Sequence, residues 1–262
     1  FLYVSHIHPD HYDLNTILEL FNKYGEKKIL IADWEDKPNY LEKKMKSDGL
    51  KDHIYVTNKK IIGDTVISII PNRTESLSDI DSAIVVSSAS SKKSVLNIND
   101  CVYNEKLLDK ILEIKKELNI EFTLFCLGYT GAGSYPQTYY SPITQKDILL
   151  EKANIKKEKF FKRYKKAISK IESINRLPFA GKYVLNGELS FLNKYRGVSD
   201  ALEIKKIDPK ETVLDDGGDS YFDLDNLVAS KQRENPYEFP QIINSSSEYY
   251  WRAVSYTHLR AH

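Results

Sequence analysis

Three of the chain's six histidines fall within positions 6 to 11, which are His-Ile-His-Pro-Asp-His. In an extended segment His6 and His8 point to the same side, because side chains alternate along a strand. Asp10 and His11 follow the bend that the proline favours, so they can turn toward a second position. Imidazole nitrogens and carboxylate oxygens are ligands for Zn²⁺ and related ions. The spacing therefore predicts a metal site; the alternative is a set of loop histidines that cap backbone groups.

Asp100 is a second carboxylate of interest, near the end of a predicted apolar strand. Asp100 follows the apolar segment 95–98 directly. Asn97 and Asn99 flank it, and we expect them to orient neighbouring ligands by hydrogen bonding. The alternative role for Asp100 is to cap the helix predicted over 104–118, but it lies a few residues early for that position. The other interpretation of Asp100 is a fifth metal ligand, which a family resemblance carried by residues 5–11 favours.

Residues 5–11, Ser-His-Ile-His-Pro-Asp-His, resemble the His-x-His-x-Asp-His signature of the metallo-β-lactamase superfamily. The resemblance implies a layered α/β fold, an αββα sandwich, with one or two metal ions at the edge of its two sheets. It implies Zn²⁺, with iron and manganese as alternatives. The implied ligands are His6 and His8 for the first metal, Asp10 and His11 for the second, and Asp100 as the bridging carboxylate. Asp10 would also orient the attacking water.

Two histidines that the resemblance implies are missing. The segment 70–75 is Ile-Pro-Asn-Arg-Thr-Glu, and 179–183 is Phe-Ala-Gly-Lys-Tyr, where the further histidines are expected. The candidates to replace them are Asn72, Glu75 and Asp79. His53 precedes the expected position and is predicted to be structural.

These departures make the chain similar to one part of the superfamily. Segments 97–101, 131–136 and 180–183, taken with the histidine motif, resemble the metallo-β-lactamase-like part of CMP-N-acetylneuraminate hydroxylase and its bacterial relatives. That resemblance implies a Rieske-type module, supplied by a missing N-terminal portion or by a partner, because the chain has no Cys-His pairs suited to such a cluster.

Three hypotheses of function follow, in this order. The first is a metal-dependent hydrolase of an anionic ester, phosphoester or nucleotide-sugar, with Arg73, Lys182 or the loop 131–134 contacting the anion. The second is a degenerate module of an oxygenase system like the sialic-acid hydroxylase. The third is a non-enzymatic protein that binds a polyanion through the basic helix predicted over 145–174, although a solvated outer helix is the favoured interpretation of that segment.

The net charge, the cysteines and the apolar runs limit which classes of protein the chain can belong to. The formal charge of the 262-residue chain is +1, which argues against nucleic acid as a partner. Cys101 and Cys126 are the only cysteines, and each lies in an apolar stretch, so we expect inert thiols in a cytoplasmic protein. No apolar run approaches the roughly 20 residues of a membrane span, and no signal peptide is recognised.

The order of apolar patterns predicts alternating strands and helices. Helices are predicted near 14–24, 40–46, 104–118 and 145–174, and strands near 28–32, 53–57, 61–70, 81–87, 94–98 and 121–127, with a hairpin over 178–192. We predict a metallo-β-lactamase-like domain over 1–195 that lacks its N-terminal strands, because the chain starts without Met inside a strand pattern. An appendage over 196–254 and a non-native tail over 255–262 complete the predicted division.

Overall fold

The computed structural model describes residues 1–74, 76, 79–179, 183, 185, 187–215 and 220–235. They form two units. The first comprises Phe1–Cys126 with Ile171–Ile174, and the second comprises Leu127–Lys170 with the described residues from 175 onward. The predicted boundaries at 195 and 254 stay predictions, and the predicted tail lies outside the described residues.

A small parallel sheet opens the first unit, and two helices lie between its strands in the chain. Asp13 begins the first helix, because its side chain accepts a hydrogen bond from the backbone N–H of Thr16 at 2.8 Å. Gly25 ends that helix with φ of 75°, a conformation that glycine adopts without strain. The elements in chain order are β1 (Leu2–Tyr3), α1 (Leu14–Tyr24), β2 (Ile29–Ile31), α2 (Tyr40–Ser47) and β3 (Ile54–Val56).

A larger mixed sheet follows. Its first four strands pair antiparallel, whereas the fourth and fifth are parallel and are joined by a helix, α3 (Glu105–Leu118). The fifth and sixth strands each have residues in both units. The strands, in spatial order, are β4 (Lys59–Ile62), β5 (Thr65–Pro71), β6 (Ser82–Ser88), β7 (Ser94–Asn97), β8 (Phe122–Gly128) and β9 (Ser173–Phe179).

The central strand β2 explains how the layers of the first unit pack. Alternate side chains of a strand face opposite sides, and β2 is buried on both. Ile29 and Ile31 pack with Phe21 and Met45 of the helices α1 and α2, whereas Leu30 packs with residues of β5 and β6. Helix α3 contacts β5. The unit therefore stacks helices, a sheet, a second sheet and a helix, and the prediction of a layered α/β chain agrees with the structure.

The second unit is built on the long helix α4 (Lys146–Lys170). The hydroxyl of Tyr164, which is fully buried, donates to Asp208 Oδ2 at 2.9 Å. Arg176 pairs with the other oxygen of the same carboxylate at 2.6 Å. This basic helix therefore has a buried face, as the outer-helix interpretation requires. The other residues predicted to face inward, Phe160, Phe161 and Ile168, are half-buried.

Two element predictions near the end of α4 are wrong. The helix predicted to reach residue 174 ends at Lys170, and Ser173–Phe179 forms β9. The hairpin predicted over 178–192 is also not formed: Gly187–Tyr195 is a 3-10 helix, and the predicted turn residue Asn186 lies outside the described residues. The reason is a long-range pairing, in which the backbone of Arg176 donates to Lys210 O at 3.0 Å and accepts from Thr212 N at 2.8 Å.

Among the described helices, none combines the length and the apolar character needed to cross a bilayer. Both cysteines are buried and free of disulfide bonds, as predicted.

The cap of α3 gives a first testable prediction. Asn104 accepts a hydrogen bond from Leu107 N at 2.9 Å, so Asn104→Ala leaves that N–H without its partner. We expect the free energy of unfolding to fall by about 1 kcal/mol, measured by urea denaturation. The control is Asn22→Ala on the exposed face of α1, which should be neutral or slightly stabilising because alanine favours helix. An equal loss in both variants would contradict the capping role.

Candidate metal centre

The candidate ligands lie where three strands of the first unit begin or end. The histidine motif follows β1, Asp81 immediately precedes β6, and Asp100 lies three residues after β7. Beyond Pro9 the chain turns, because both His11 N and Tyr12 N donate to His8 O, at 2.9 and 2.8 Å. The predicted bend after Pro9 is present, and it brings the ring of His11 next to that of His6.

The three imidazoles form one cluster. His6 Nε2 lies 2.8 Å from His8 Nδ1, and the ring centroids of His6 and His11 are 4.1 Å apart. His6 is fully buried, with 0% of its side chain exposed. Ser5 Oγ lies 3.0 Å from His6 Nδ1 and 2.9 Å from His11 Nδ1. The Nδ1 atoms of these two rings therefore face the serine, which leaves their Nε2 atoms for other partners.

Asp81 joins this cluster, and the sequence analysis did not identify it as a ligand. Its Oδ1 lies 3.5 Å from His6 Nε2, and this buried oxygen has no hydrogen-bond partner. An unpaired buried carboxylate oxygen is costly unless a proton or a cation accompanies it. The signal in the sequence was an acidic residue directly before the apolar strand Ser-Ala-Ile-Val-Val.

The two predicted carboxylates, Asp100 and Asp10, lie near Nε2 of His11, whereas Ser5 contacts its Nδ1. Asp100 Oδ2 is 3.3 Å from His11 Nε2, and Asp10 Oδ2 is 3.8 Å from the same nitrogen. Both carboxylates are exposed, 41% for Asp100 and 43% for Asp10. The structure thus brings all five predicted residues and Asp81 into one region.

Two triads have the spacing of metal ligands. His6, His8 and Asp81 form one, and His6, His11 and Asp100 form the other; within each, one ligand atom per residue lies within 4.8 Å of the others. Imidazole nitrogens combined with carboxylate oxygens suit Zn²⁺, iron and manganese. The unpaired Oδ1 of Asp81 is the observation that favours a cation here rather than a purely hydrogen-bonded cluster.

The electrostatics of the cluster favour ligand-competent forms at His6 and Asp100. Burial, together with the neighbouring His11 and His8, lowers the pKa of His6 to about 3, so its ring is neutral near pH 7. The hydrogen bond with His11 lowers the pKa of Asp100. Burial lowers the pKa of His11, but the contact with Asp100 outweighs it and raises the pKa overall. Burial also raises the pKa of Asp81, with the charge of Asp100 adding to it.

A buried hydrogen-bond network holds the three ligand-bearing segments together. Ser82, fully buried beside Asp81, donates from Oγ to Ser5 O at 2.7 Å. The hydroxyl of Tyr3 lies 2.8 Å from Ser82 Oγ and donates to Ser82 O at 3.0 Å. Asn99 Nδ2 donates to the same carbonyl at 2.8 Å. We call Tyr3, Ser5, Ser82 and Asn99 the Ser82 network. Ser5, Ser82 and Asn99 directly neighbour His6, Asp81 and Asp100 in the chain, so the network sets the spacing of the ligands.

The two asparagines near Asp100 act on the backbone. Asn97 Oδ1 accepts a hydrogen bond from Asn99 N at 2.9 Å. Asn99 has φ of 47°, in the left-handed region that asparagine tolerates better than most residues. The local bend turns the chain at the end of β7 so that the next residue, Asp100, reaches His11. The predicted hydrogen bonding of these asparagines to neighbouring ligands stays a prediction.

The three candidate replacements for the missing histidines differ in their surroundings. Asp79 is engaged elsewhere, because its Oδ2 pairs with Lys37 at 2.7 Å and accepts from Thr74 N at 2.8 Å. Glu75 lies outside the described residues. Asn72 is buried and its backbone N–H donates to Asp81 O at 2.8 Å. Its amide nitrogen donates to Val102 O, whereas its Oδ1 has no hydrogen-bond partner.

The structure does not show a free charged side chain at the described positions that were predicted to contact an anion. Arg73 is committed to ion pairs with Asp36 and Glu35, and it donates to Trp34 O at 2.8 Å. Lys182 lies outside the described residues. In the second unit, a Cβ on Gly131 would come within 2.6 Å of the Phe160 ring, so that glycine allows close packing. His53 packs its ring on Phe21, with centroids 4.9 Å apart, which fits a structural role.

The buried ring of His6 predicts a pH dependence. Its folded-state pKa of about 3 lies below the ordinary 6.5, so the unfolded chain takes up the proton first as the pH falls. We expect the free energy of unfolding of metal-free protein to fall from about pH 6.5 toward pH 3, with His6 contributing a slope of about 1.4 kcal/mol per pH unit. Urea denaturation across this range should show a shallower slope in His6→Ala than in wild type. Asn22→Ala, which changes no titratable group, should retain the wild-type slope; a retained slope in His6→Ala would contradict the assignment.

The Ser82 network predicts a loss of stability on truncation. Ser82→Ala removes the donor to Ser5 O and one contact of the Tyr3 hydroxyl, both buried, and we expect a loss of about 1–3 kcal/mol by urea denaturation. Ser87→Ala on the same strand is the matched control, because that buried hydroxyl has only a 3.5 Å contact with Val66 O. Similar losses in the two variants would show that the network does not stabilise this region.

Comparisons with known proteins add little to this geometry. No family model matches the chain, and no curated protein matches it. Among solved structures, the chain is similar to a crystal structure of unliganded yeast PDE1, with a TM-score of 0.39 and 14% sequence identity, covering 78% of this chain. The chain spans 62% of the length of that protein's chain. A group of histidine and aspartate side chains compatible with metal binding, on a mixed α/β fold, is what the structure establishes.

Proposed function

We propose that the protein is a metal-dependent hydrolase of the metallo-β-lactamase superfamily that acts on an anionic ester, a phosphoester or a nucleotide-sugar. The observation that carries the proposal is the convergence of three imidazoles with Asp81 and Asp100, where the buried Oδ1 of Asp81 has no partner. The stacking of helices, two sheets and a helix in the first unit supports the superfamily assignment, and so does the position of the histidine motif after β1.

The shared histidine limits how the ligands are divided. His6 belongs to both triads, and its Nδ1 faces Ser5, so only its Nε2 is available to a cation. One metal would therefore be held by His6, His8 and Asp81. A second would be held by His11, Asp100 and Asp10, because the carboxylates of Asp100 and Asp10 both lie near His11 Nε2. This division retains Asp10 and His11 at the second position and adds Asp81 to the first.

The residues around the proposed metals have distinct chemical tasks. A bound metal ion would supply Lewis acidity, which makes water a better nucleophile near neutral pH. Asp10 lies at the exposed side of the cluster, so it is placed to orient the attacking water and to accept its proton. His6 is fully buried, so its ring lies on the interior side of the cluster.

The proposed setting follows from the composition. Two buried free thiols suit the reducing cytoplasm, and the near-neutral charge suits a small anionic substrate better than nucleic acid. Zn²⁺ is the proposed ion, with iron and manganese as the alternatives. An oxygenase-linked role with a Rieske-type partner remains the alternative that an iron-loaded protein would favour.

Metal content tests the ligand assignment. We expect one or two equivalents of transition metal in purified wild-type protein by elemental analysis, and loss of the first equivalent in His6→Ala/His8→Ala and in Asp81→Ala, because each removes ligands of the same ion. His53→Ala is the matched control and should keep the wild-type content, since that ring packs on Phe21 outside the cluster. Folded wild-type protein without metal after reconstitution with Zn²⁺, Mn²⁺ or Fe²⁺ would refute the proposal.

Turnover tests the reaction class on the same samples. Metal-loaded wild-type protein should hydrolyse at least one chromogenic phosphomonoester, phosphodiester or carboxylate ester, or a nucleotide-sugar, and Asp10→Asn should lower kcat by at least about a hundredfold. Metal binding without any hydrolysis would contradict the hydrolase proposal. Exclusive retention of one iron would favour the oxygenase-linked alternative instead.

A further inference from the structure

A single hydroxyl contacts two of the clustered histidines. Ser5 Oγ lies 3.0 Å from His6 Nδ1 and 2.9 Å from His11 Nδ1, and Ser5 is buried. Among the described residues, Ser5 is the common partner of the Nδ1 atoms of these two rings. The serine therefore connects two histidines that the proposed division assigns to different metals.

Ser5 is itself held in place. Its carbonyl accepts the hydrogen bond from Ser82 Oγ at 2.7 Å, and the preceding residue, Val4, donates to Leu30 O at 3.1 Å, extending the pairing of β1 with β2. These contacts fix the backbone on both sides of the serine. Its hydroxyl consequently has a defined position from which to select ring orientations.

The chemistry of a hydroxyl decides which proton arrangements are available. A serine oxygen has two acceptor sites and one hydrogen, so it can accept an N–H from both rings at once. In that arrangement each ring carries its proton on Nδ1, and both Nε2 lone pairs are free to bind a cation. In the other arrangement Ser5 donates to one Nδ1, and that ring must carry its proton on Nε2, facing the carboxylates, where it blocks a metal.

The surroundings of the two Nε2 atoms favour the first arrangement once a cation is present. His6 Nε2 lies 2.8 Å from His8 Nδ1 and 3.5 Å from Asp81 Oδ1, and His11 Nε2 lies 3.3 Å from Asp100 Oδ2. Carboxylates on that side attract either a proton on Nε2 or a cation in its place. A hydrogen bond to the far nitrogen of a ligating histidine is the usual means by which proteins fix its tautomer.

Resting on the proposed metal centre, we propose that Ser5 is a positioning residue whose hydroxyl oxygen accepts N–H hydrogen bonds from both His6 and His11. It thereby holds both rings in the Nδ1–H tautomer, with both Nε2 atoms directed at the cations. One serine sets the protonation pattern of two ligands that belong to different metals. It touches neither the substrate nor the reacting water.

Nitrogen NMR of the histidine rings and zinc affinity together test this role. At about pH 8, where histidines of ordinary pKa are neutral, His6 and His11 of zinc-loaded wild-type protein should both show protonated Nδ1 and metal-bound Nε2. Ser5→Ala should weaken zinc binding by about ten- to a hundredfold, measured by competition with a chromophoric chelator. Ser5→Thr keeps the hydroxyl and should restore most of the affinity, whereas Ser68→Ala, at a buried serine of β5, should leave the affinity unchanged.

The outcomes separate this proposal from the proposed function. If Ser5→Ala keeps wild-type affinity and both rings keep the Nδ1–H tautomer, the positioning role is wrong although the metal centre stands. If wild-type protein binds no zinc, the proposed function fails, and the ring spectra of metal-free protein then decide on Ser5. In that case His6 should carry its proton on Nδ1 in wild type and lose this preference in Ser5→Ala but not in Ser68→Ala; an unchanged His6 would overturn the role.

Discussion

The hydrogen bond from Ser82 Oγ to Ser5 O, at 2.7 Å, is the interaction on which the candidate site depends. It joins the end of β1 in the small sheet to the start of β6 in the large sheet, and so it fixes His6 relative to Asp81. Asn99 extends the same network to the end of β7. Buried polar networks of this kind are costly when incomplete. The loss of one of these hydrogen bonds would therefore disturb the spacing of all three segments.

The hydrophobic core makes that network possible. Leu30 of β2 packs between the two sheets, and the neighbouring Ile29 and Ile31 pack under α1 and α2. This packing accompanies the burial of His6, whose side chain is fully shielded from water although His8 and Asp10 in the same loop are exposed. In the same low-dielectric surroundings, hydrogen bonds and charge interactions are stronger than at the surface. Burial therefore keeps His6 neutral, and it makes the Asp81 oxygen without a hydrogen-bond partner costly unless a proton or a cation accompanies it.

The cluster contains more carboxylate oxygen than the sequence motif alone indicated. Asp81, directly before β6, lies 3.5 Å from His6 Nε2 through its Oδ1. Asn72, on the adjacent strand end, adds a second buried oxygen without a partner. The proposed centre therefore has more oxygen donors, and this widens the range of metal ions that it could hold.

The sequence alone determined the local features: the histidine cluster, the turn after Pro9, the carboxylate at Asp100, and nearly all helices and strands of the first unit. These follow from spacing and periodicity, which are properties of short segments. Only the tertiary structure decided that Asp81 belongs to the cluster, that Asp79 is taken by Lys37, and that Ser173–Phe179 is a strand. Each of these depends on residues distant in the chain, because strand pairing and burial are settled by which segments meet, and no local pattern records that.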